Sequence, residues 1–220
     1  MAADFQKLYD ESYFMGYRSD AKRREMYRHE LGRLRPWLKQ QTGAVLDIGC
    51  GLGDFLALGF SDWQKFGIEV SNHARQTAEH KDIRFYFPDH ANQFDVIILR
   101  GSIQHLHQPL KMLWDAHAWL KPGGLIVFLA TPNARSLPYR MFGDMPMLEP
   151  ARNFVVFSDK MLCTCLKHIG FQILQVHKPY ADTPYANPWR DYWRFALRCL
   201  GIKRPFAWPG NMMEIIARKV

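Results

Sequence analysis

Two hydrophobic rhythms alternate along the chain. Short runs of nearly continuous apolar residues punctuate longer stretches in which apolar residues return every third or fourth position. The first long stretch, residues 20–40, carries Tyr27, Leu31, Leu34 and Leu38 at i, i+4, i+7 and i+11. That spacing predicts a helix with one buried face, its many arginines on the solvated side. Val45, Leu46 and Ile48 then make a short apolar run, Gly49, Gly51 and Gly53 follow on alternate positions, and Phe55-Leu56 resumes the apolar pattern. This reads as a buried strand, a tight turn and a helix start.

The same reading continues downstream. FGIEV, ending at Val70, is a second apolar run; Ser71-Asn72 caps a helix over His73 to His80; Ile83 to Phe87 and Phe94 to Leu99 are further strands. Pro109 opens a helix through Leu120, the turn Lys121 to Gly124 leads into a strand over Leu125 to Ala130, and Phe157-Ser158-Asp159 caps a helix that Gly170 stops after Ile169. Phe171 to His177 is a sixth strand and Asn211 to Lys219 the last.

Three segments break the rhythm. Residues 1–19 are aromatic, with Tyr9, Tyr13, Phe14 and Tyr17 near Asp10 and Glu11, and fit either a leader packed on the core or a lid over a pocket. Residues 134–153 lose periodicity and read as an inserted loop over the site. Residues 178–210 are far longer than a hairpin connection needs. There Trp189, Tyr192, Trp193, Ala196, Leu197 and Leu200 share one helical face beside a ridge of Arg190, Arg194 and Arg198. A helix docked by its aromatic face is the plainer reading, and an amphipathic element that holds an anionic or lipid-linked substrate at a membrane surface the sharper one.

Composition narrows the classes. A chain of 220 residues, 48% hydrophobic and 23% charged, fits one globular domain, has no apolar run long enough to span a bilayer, and shows no secretory leader. A cytoplasmic location is expected, with membrane association left open. Cys50, Cys163, Cys165 and Cys199 do not have zinc-ligand spacing, and no metal is expected. The net charge of +8 points to an anionic partner.

The chemistry concentrates at Asp47 to Gly53 and at Glu69, 22 residues beyond Asp47. Glycines at a strand-to-helix turn let the backbone approach a ligand, the new helix offers free N–H groups, and an acidic residue closing the second strand can accept from ribose hydroxyls. The order D-I-G-C-G-x-G, then Glu69, FDVIIL at 94–99 and LKPGG at 120–124, resembles the class I S-adenosylmethionine-dependent methyltransferases. A dinucleotide site fits less well, because Asp54 stands where its third glycine would be.

The resemblance implies a doubly wound, Rossmann-like α/β fold: seven strands, the last antiparallel, in a three-layer α/β/α domain divided as residues 1–40 (helix and lid), 41–132 (cofactor core), 133–157 (loop) and 158–220. It implies S-adenosyl-L-methionine as cofactor, held by Asp47, Gly49, Cys50, Gly51, Gly53, Glu69, Val70, Asp89, Arg100 and Gln104. Family members usually carry glutamate before the histidine after the fourth strand, and here Gln104 precedes His105. His105 is the candidate general base, since a neutral imidazole can accept a proton near neutral pH, while the plainer reading is a histidine that only orients the loop or caps a helix. Asn133, Tyr139, Arg190 and Arg194 are the candidate acceptor residues.

The function expected is methyl transfer to a small molecule or glycan, with oxygen the acceptor atom. The chain lacks the Asn/Asp-Pro-Pro-Tyr/Phe of amino-methylating nucleic-acid enzymes and the paired glutamates of protein arginine methyltransferases. Its rivals are a non-catalytic cofactor-binding or peripheral-membrane subunit and an RNA methyltransferase; no added RNA-binding module is visible.

Overall fold

The computed structural model describes residues 9, 13–14, 21–85, 87, 89–145, 148 and 152–220. Of the aromatic leader, Tyr17, Asp10 and Glu11 lie outside the described residues. The elements are α1 (Ala21–Leu34), β1 (Ala44–Ile48), α2 (Asp54–Gly59), β2 (Gln64–Ile68), α3 (Asn72–Glu79), β3 (Ile83–Phe85), β4 (Phe94–Arg100), α4 (Pro109–Trp119), β5 (Leu120–Pro132), α5 (Leu137–Phe142), α6 (Asp159–Ile169), β6 (Phe171–His177), α7 (Pro188–Cys199) and β7 (Met212–Lys219). Ser71, Ser158 and Asn187 cap α3, α6 and α7 through their side-chain oxygens. Gly170, at φ 109°, ends α6.

The seven strands form one sheet in the order β3-β2-β1-β4-β5-β7-β6. The first five run parallel, and β7 is antiparallel to both β5 and β6. Strand parity builds two cores. Leu46, Ile48, Ile97, Leu99, Ile126 and Phe128 pack on one face against Leu113 of α4 and Leu162 and Leu166 of α6. Val45, Val96, Ile98, Val127 and Leu129 pack on the other against Tyr27, Leu31 and Leu34 of α1 and Phe55 and Leu56 of α2.

Parity also places charge. Asp47 follows Val45 and Arg100 follows Ile98 on the α1 face, so both project from strand ends under α1. The strand order reverses between β1 and β4, and in open α/β sheets ligands bind at the carboxyl ends of strands at such a point. No helix among the described residues is long and apolar enough to cross a membrane.

Beyond β6 the aromatic and basic sides of α7 are reversed from the expected docking. Trp189, Trp193 and Tyr192 are 91%, 65% and 54% exposed, while the arginines turn inward: Arg190 bonds Asp191 and the Tyr185 carbonyl, Arg194 the Pro205 carbonyl, and Arg198 approaches Asp144. Phe195 docks, stacked on Trp208 at 4.2 Å between ring centroids, and the half-exposed Tyr192 meets the same indole edge-on at 4.9 Å. Asp191 decides the orientation. Its fully buried carboxylate accepts from Asn187 N at 2.9 Å, Tyr180 Oη at 3.3 Å and Arg190 at 3.0 Å, which fixes the side of the helix that faces the body.

Candidate active site

A cavity of about 280 Å³ opens at the β1/β4 switch point. Its floor is Asp47 to Leu52, one wall is Ile68 to Val70 at the end of β2, another is Arg100 to Ser102 after β4, and Tyr9, Tyr13, Phe14 and His105 complete it. Gly49 and Gly51 turn the chain at φ 82° and 53°, in the left-handed region. A Cβ on Gly49 would meet Ser102 Cβ at 2.7 Å, so here the loop passes against the strand β4 end with no room for a side chain.

Glu69 ties the loop to β2. One carboxylate oxygen accepts from Gly51 N at 2.9 Å; the other accepts from Val70 N at 2.8 Å and Ser71 N at 2.9 Å. Lys81, which no sequence motif marks, reaches back from the end of α3 to Leu52 O and Asp54, holding the far side of the loop. Glu69→Ala therefore orphans three backbone donors as well as removing the carboxylate. The expected result is a loss of about 1.5–3 kcal/mol in cofactor binding together with a lower melting temperature, read by calorimetry and thermal unfolding.

Under the floor lies a buried charged row. Glu30, fully buried on α1, receives Arg100 through both oxygens, at 2.7 and 3.1 Å, and the Arg100 guanidinium lies 4.4 Å from the centre of the Tyr27 ring. Burial pushes the Glu30 carboxyl up, and Arg100 pulls it only part of the way back. Asp47, next along, is almost wholly buried, and burial lifts its pKa to about 7; Arg100 lowers it, and Glu69 and Glu30 raise it further. Among the described residues its Oδ1 and the Ser102 Oγ have no hydrogen-bond partner, although both residues line the cavity. Because both line the cavity, a polar ligand entering it could meet them.

Around His105 the hydrogen bonds fix the tautomer. The Arg152 carbonyl, 2.8 Å from Nδ1, requires a proton on that nitrogen. Gln104 Nε2 donates to Gly101 O at 2.8 Å and directs its second hydrogen at His105 Nε2, 3.1 Å away. This arrangement puts a proton on Nδ1 and turns Nε2 toward the Gln104 amide as an acceptor. A glutamate at position 104 could donate to neither Gly101 O nor Nε2, which gives the departure from the usual family residue a physical reason.

The other sequence candidates divide. Asp47, Gly49, Cys50, Gly51, Glu69, Val70, Arg100 and His105 all line the cavity. Arg100 does so with its guanidinium committed to Glu30, and burial pushes the Cys50 thiol well up, beside the carboxylates of Asp47 and Glu69, so that it packs rather than reacts. Gly53 lies behind the loop, where a Cβ would strike Ile83 and Ala78; it is a packing glycine. Gln104 holds His105 and does not line the cavity. Asp89 is exposed, pairs with His90 and stands apart.

None of the four acceptor candidates reaches the cavity. Asn133 is a buried turn residue whose Oδ1 accepts from Arg135 N and Asp159 N. Tyr139 sits in the first turn of α5, its N–H on Ser136 Oγ. Arg190 and Arg194 are tied within the α7 region. Of the aperiodic loop, the returning end does reach the site: Arg152 bonds His105 and lies over the Tyr9 and Tyr13 rings at 5.6 and 4.7 Å, and Phe154 N bonds Gln104 O.

A family model described as a methyltransferase domain matches residues 18–176, well over half of the chain. The chain belongs to the S-adenosylmethionine-dependent methyltransferases. A malonyl-[acyl-carrier protein] O-methyltransferase of Paenibacillus sp. is 26% identical to this methyltransferase over 75% of the chain and 67% of its own length. A phosphoethanolamine N-methyltransferase of Arabidopsis thaliana is 30% identical over 58% of the chain but only 28% of its own length, so the chain spans a minor part of that relative. Among solved structures, a methyltransferase from Thermotoga maritima superposes with a TM-score of 0.63 at 18% identity, covering 95% of this chain and 93% of its own; at that identity the likeness is one of fold.

The cavity suits the family's cofactor. S-adenosyl-L-methionine combines an aromatic base, a ribose, an ammonium and a sulfonium, and the walls offer apolar surface at Ile48, Leu52, Ile68 and Leu106 with carboxylates at Asp47 and Glu69.

Proposed function

We propose that this methyltransferase transfers a methyl group to an oxygen of a small anionic acceptor, with His105 as general base. One observation carries the reading: His105, with its Nδ1 side held by the Arg152 carbonyl, lines the same cavity as Glu69 and the Asp47 carboxylate, whose Oδ1 has no partner among the described residues. When bound, the cofactor supplies an electrophilic methyl on a sulfonium. In this reading Asp47 meets its positive charge, Glu69 accepts from its ribose, and Tyr9, Tyr13 and Phe14 cover it and exclude water.

The His105 Nε2 lone pair now accepts from the Gln104 amide. An acceptor hydroxyl that displaces this amide hydrogen meets a base already oriented by the Arg152 carbonyl, and the proton it loses goes to Nε2, whereas an acceptor carboxylate is already ionised and needs only placement. Arg23, in the cavity wall, and Arg152, over the tyrosine rings, favour an anionic acceptor. The relatives support that class, since one acts on a malonyl group on a carrier protein and another on phosphoethanolamine.

The test is release of S-adenosylhomocysteine from purified protein with a panel of malonyl thioesters, phosphorylated amines and anionic glycans. With the acceptor so found, His105→Ala should lower turnover about a hundredfold and leave cofactor affinity unchanged. Normal turnover by the variant rejects the base role. Cofactor binding without turnover on any acceptor of the panel favours a non-catalytic subunit.

A further inference from the structure

The outer side of α7 is an apolar surface that the fold itself cannot cover. Trp189, Trp193 and Tyr192 continue along the helix into Leu200 and Ile202, which are 77% and 46% exposed. The buried Asp191 network and the Asn187 cap hold this side outward, so rotating α7 to hide the tryptophans would break the hydrogen bonds to Asn187 N, Tyr180 and Arg190. At the carboxyl end of α7, a shallow hollow of about 190 Å³ is lined by Arg198, Lys203 and Arg204, with Asp144 the one acid among the described lining residues. Between Thr183 and Met213 the sequence carries Arg190, Arg194, Arg198, Lys203 and Arg204 against a single acid, Asp191, which is buried.

We propose that α7 and residues 200–204 form a docking face for an anionic lipid bilayer, the tryptophans and Leu200 entering the headgroup boundary and lipid phosphates resting against Lys203 and Arg204. Tryptophan and tyrosine, with apolar rings and one polar edge, are the side chains enriched where hydrocarbon meets water. The cationic border is complementary to acidic headgroups, whereas the cores of protein–protein interfaces are depleted in lysine and charge. The remaining face of α7 is held on the body by Phe195 and Trp208, so the helix can lie in the plane of a membrane without leaving the fold.

Sedimentation with vesicles of phosphatidylglycerol in phosphatidylcholine, against phosphatidylcholine alone, tests this. The full chain should pellet with the acidic vesicles, and salt should release it as the Debye length shortens. Lys203→Glu with Arg204→Glu should weaken partitioning about thirtyfold or more, and Trp189→Ala with Trp193→Ala about tenfold or more. Both double variants should keep the far-ultraviolet circular dichroism and the S-adenosylhomocysteine affinity of the parent, since neither pair lines the cofactor cavity. Parent protein that stays in the supernatant with acidic vesicles at low salt overturns the proposal, as does a tryptophan double variant that pellets like the parent. A parent dimer that this variant converts to monomer, with no vesicle binding, assigns the face to a second copy of the chain instead.

Discussion

Asp47→Asn should all but abolish cofactor binding while making the unliganded protein more stable at pH 8. The two effects share one cause. Asp47 is nearly fully buried, and its pKa of about 7 stands well above the usual carboxylate value. A carboxyl whose pKa is raised on folding binds its proton more tightly in the native state than in the unfolded chain. It therefore opposes folding once pH rises past its unfolded value, and the cost is complete above about 7. Replacing it by an amide removes that cost, worth roughly 2–4 kcal/mol at pH 8 before the new amide's own unmet hydrogen bonds are counted.

The cationic ligand reverses the balance. A positive charge beside Asp47 stabilises the carboxylate and lowers its pKa, so binding releases a proton whenever the free protein holds one. Affinity should rise with pH and level off above about 7, and it should fall by up to about tenfold per unit below that. Calorimetry in buffers of different ionisation enthalpy reads the proton directly. A parent affinity flat from pH 6 to 8 would show that no charge on Asp47 is coupled to the ligand.

Glu30→Ala is the second large effect. It strands the Arg100 guanidinium, which is largely enclosed and donates to Glu30 through both Nε and Nη2. Breaking a buried pair by removing one partner costs about 3–5 kcal/mol, so the variant should melt far below the parent or fail to accumulate. Glu30→Gln is the gentler probe. It keeps one acceptor for Arg100 and removes a negative charge from beside Asp47, so the pH at which cofactor affinity levels off should move down. An unchanged midpoint in a folded Gln variant would separate the two carboxyls electrostatically.

What could be read from the chain, and what could not, follows from the range of the interactions. The strand, glycine turn and helix at 44–59 are local, and the spacing of Gly49, Gly51 and Phe55 specifies them almost by itself. The Glu30 to Arg100 pair spans 70 residues of sequence and leaves no local pattern, although one signal was present: Glu30 lies on the Tyr27, Leu31, Leu34 stripe, where an acid is out of place unless paired. Periodicity also showed that α7 has two unlike faces without showing which one meets the body. That choice belongs to Asp191, whose partners Tyr180 and Asn187 precede the helix. Asn133 and Tyr139 follow a strand that does end near the site, but β5 ends with its register shifted against β7, and the chain then turns toward α6.

The sheet order bears on how the protein is made. In the sheet β6 pairs only with β7, and β7 is the last strand in the chain, so when β6 leaves the ribosome its place at the sheet edge does not yet exist. The segment Phe171 to His177, with alternating apolar residues and no partner, waits until Met212 to Lys219 slots in beside β5. Arg33 of α1, gripped by Glu214 through two bonds of 2.6 Å, joins a helix made before the sheet to that final strand. Nascent chains of this protein therefore carry an unsealed edge through the synthesis of about 35 residues, the interval in which chaperones or aggregation compete for it.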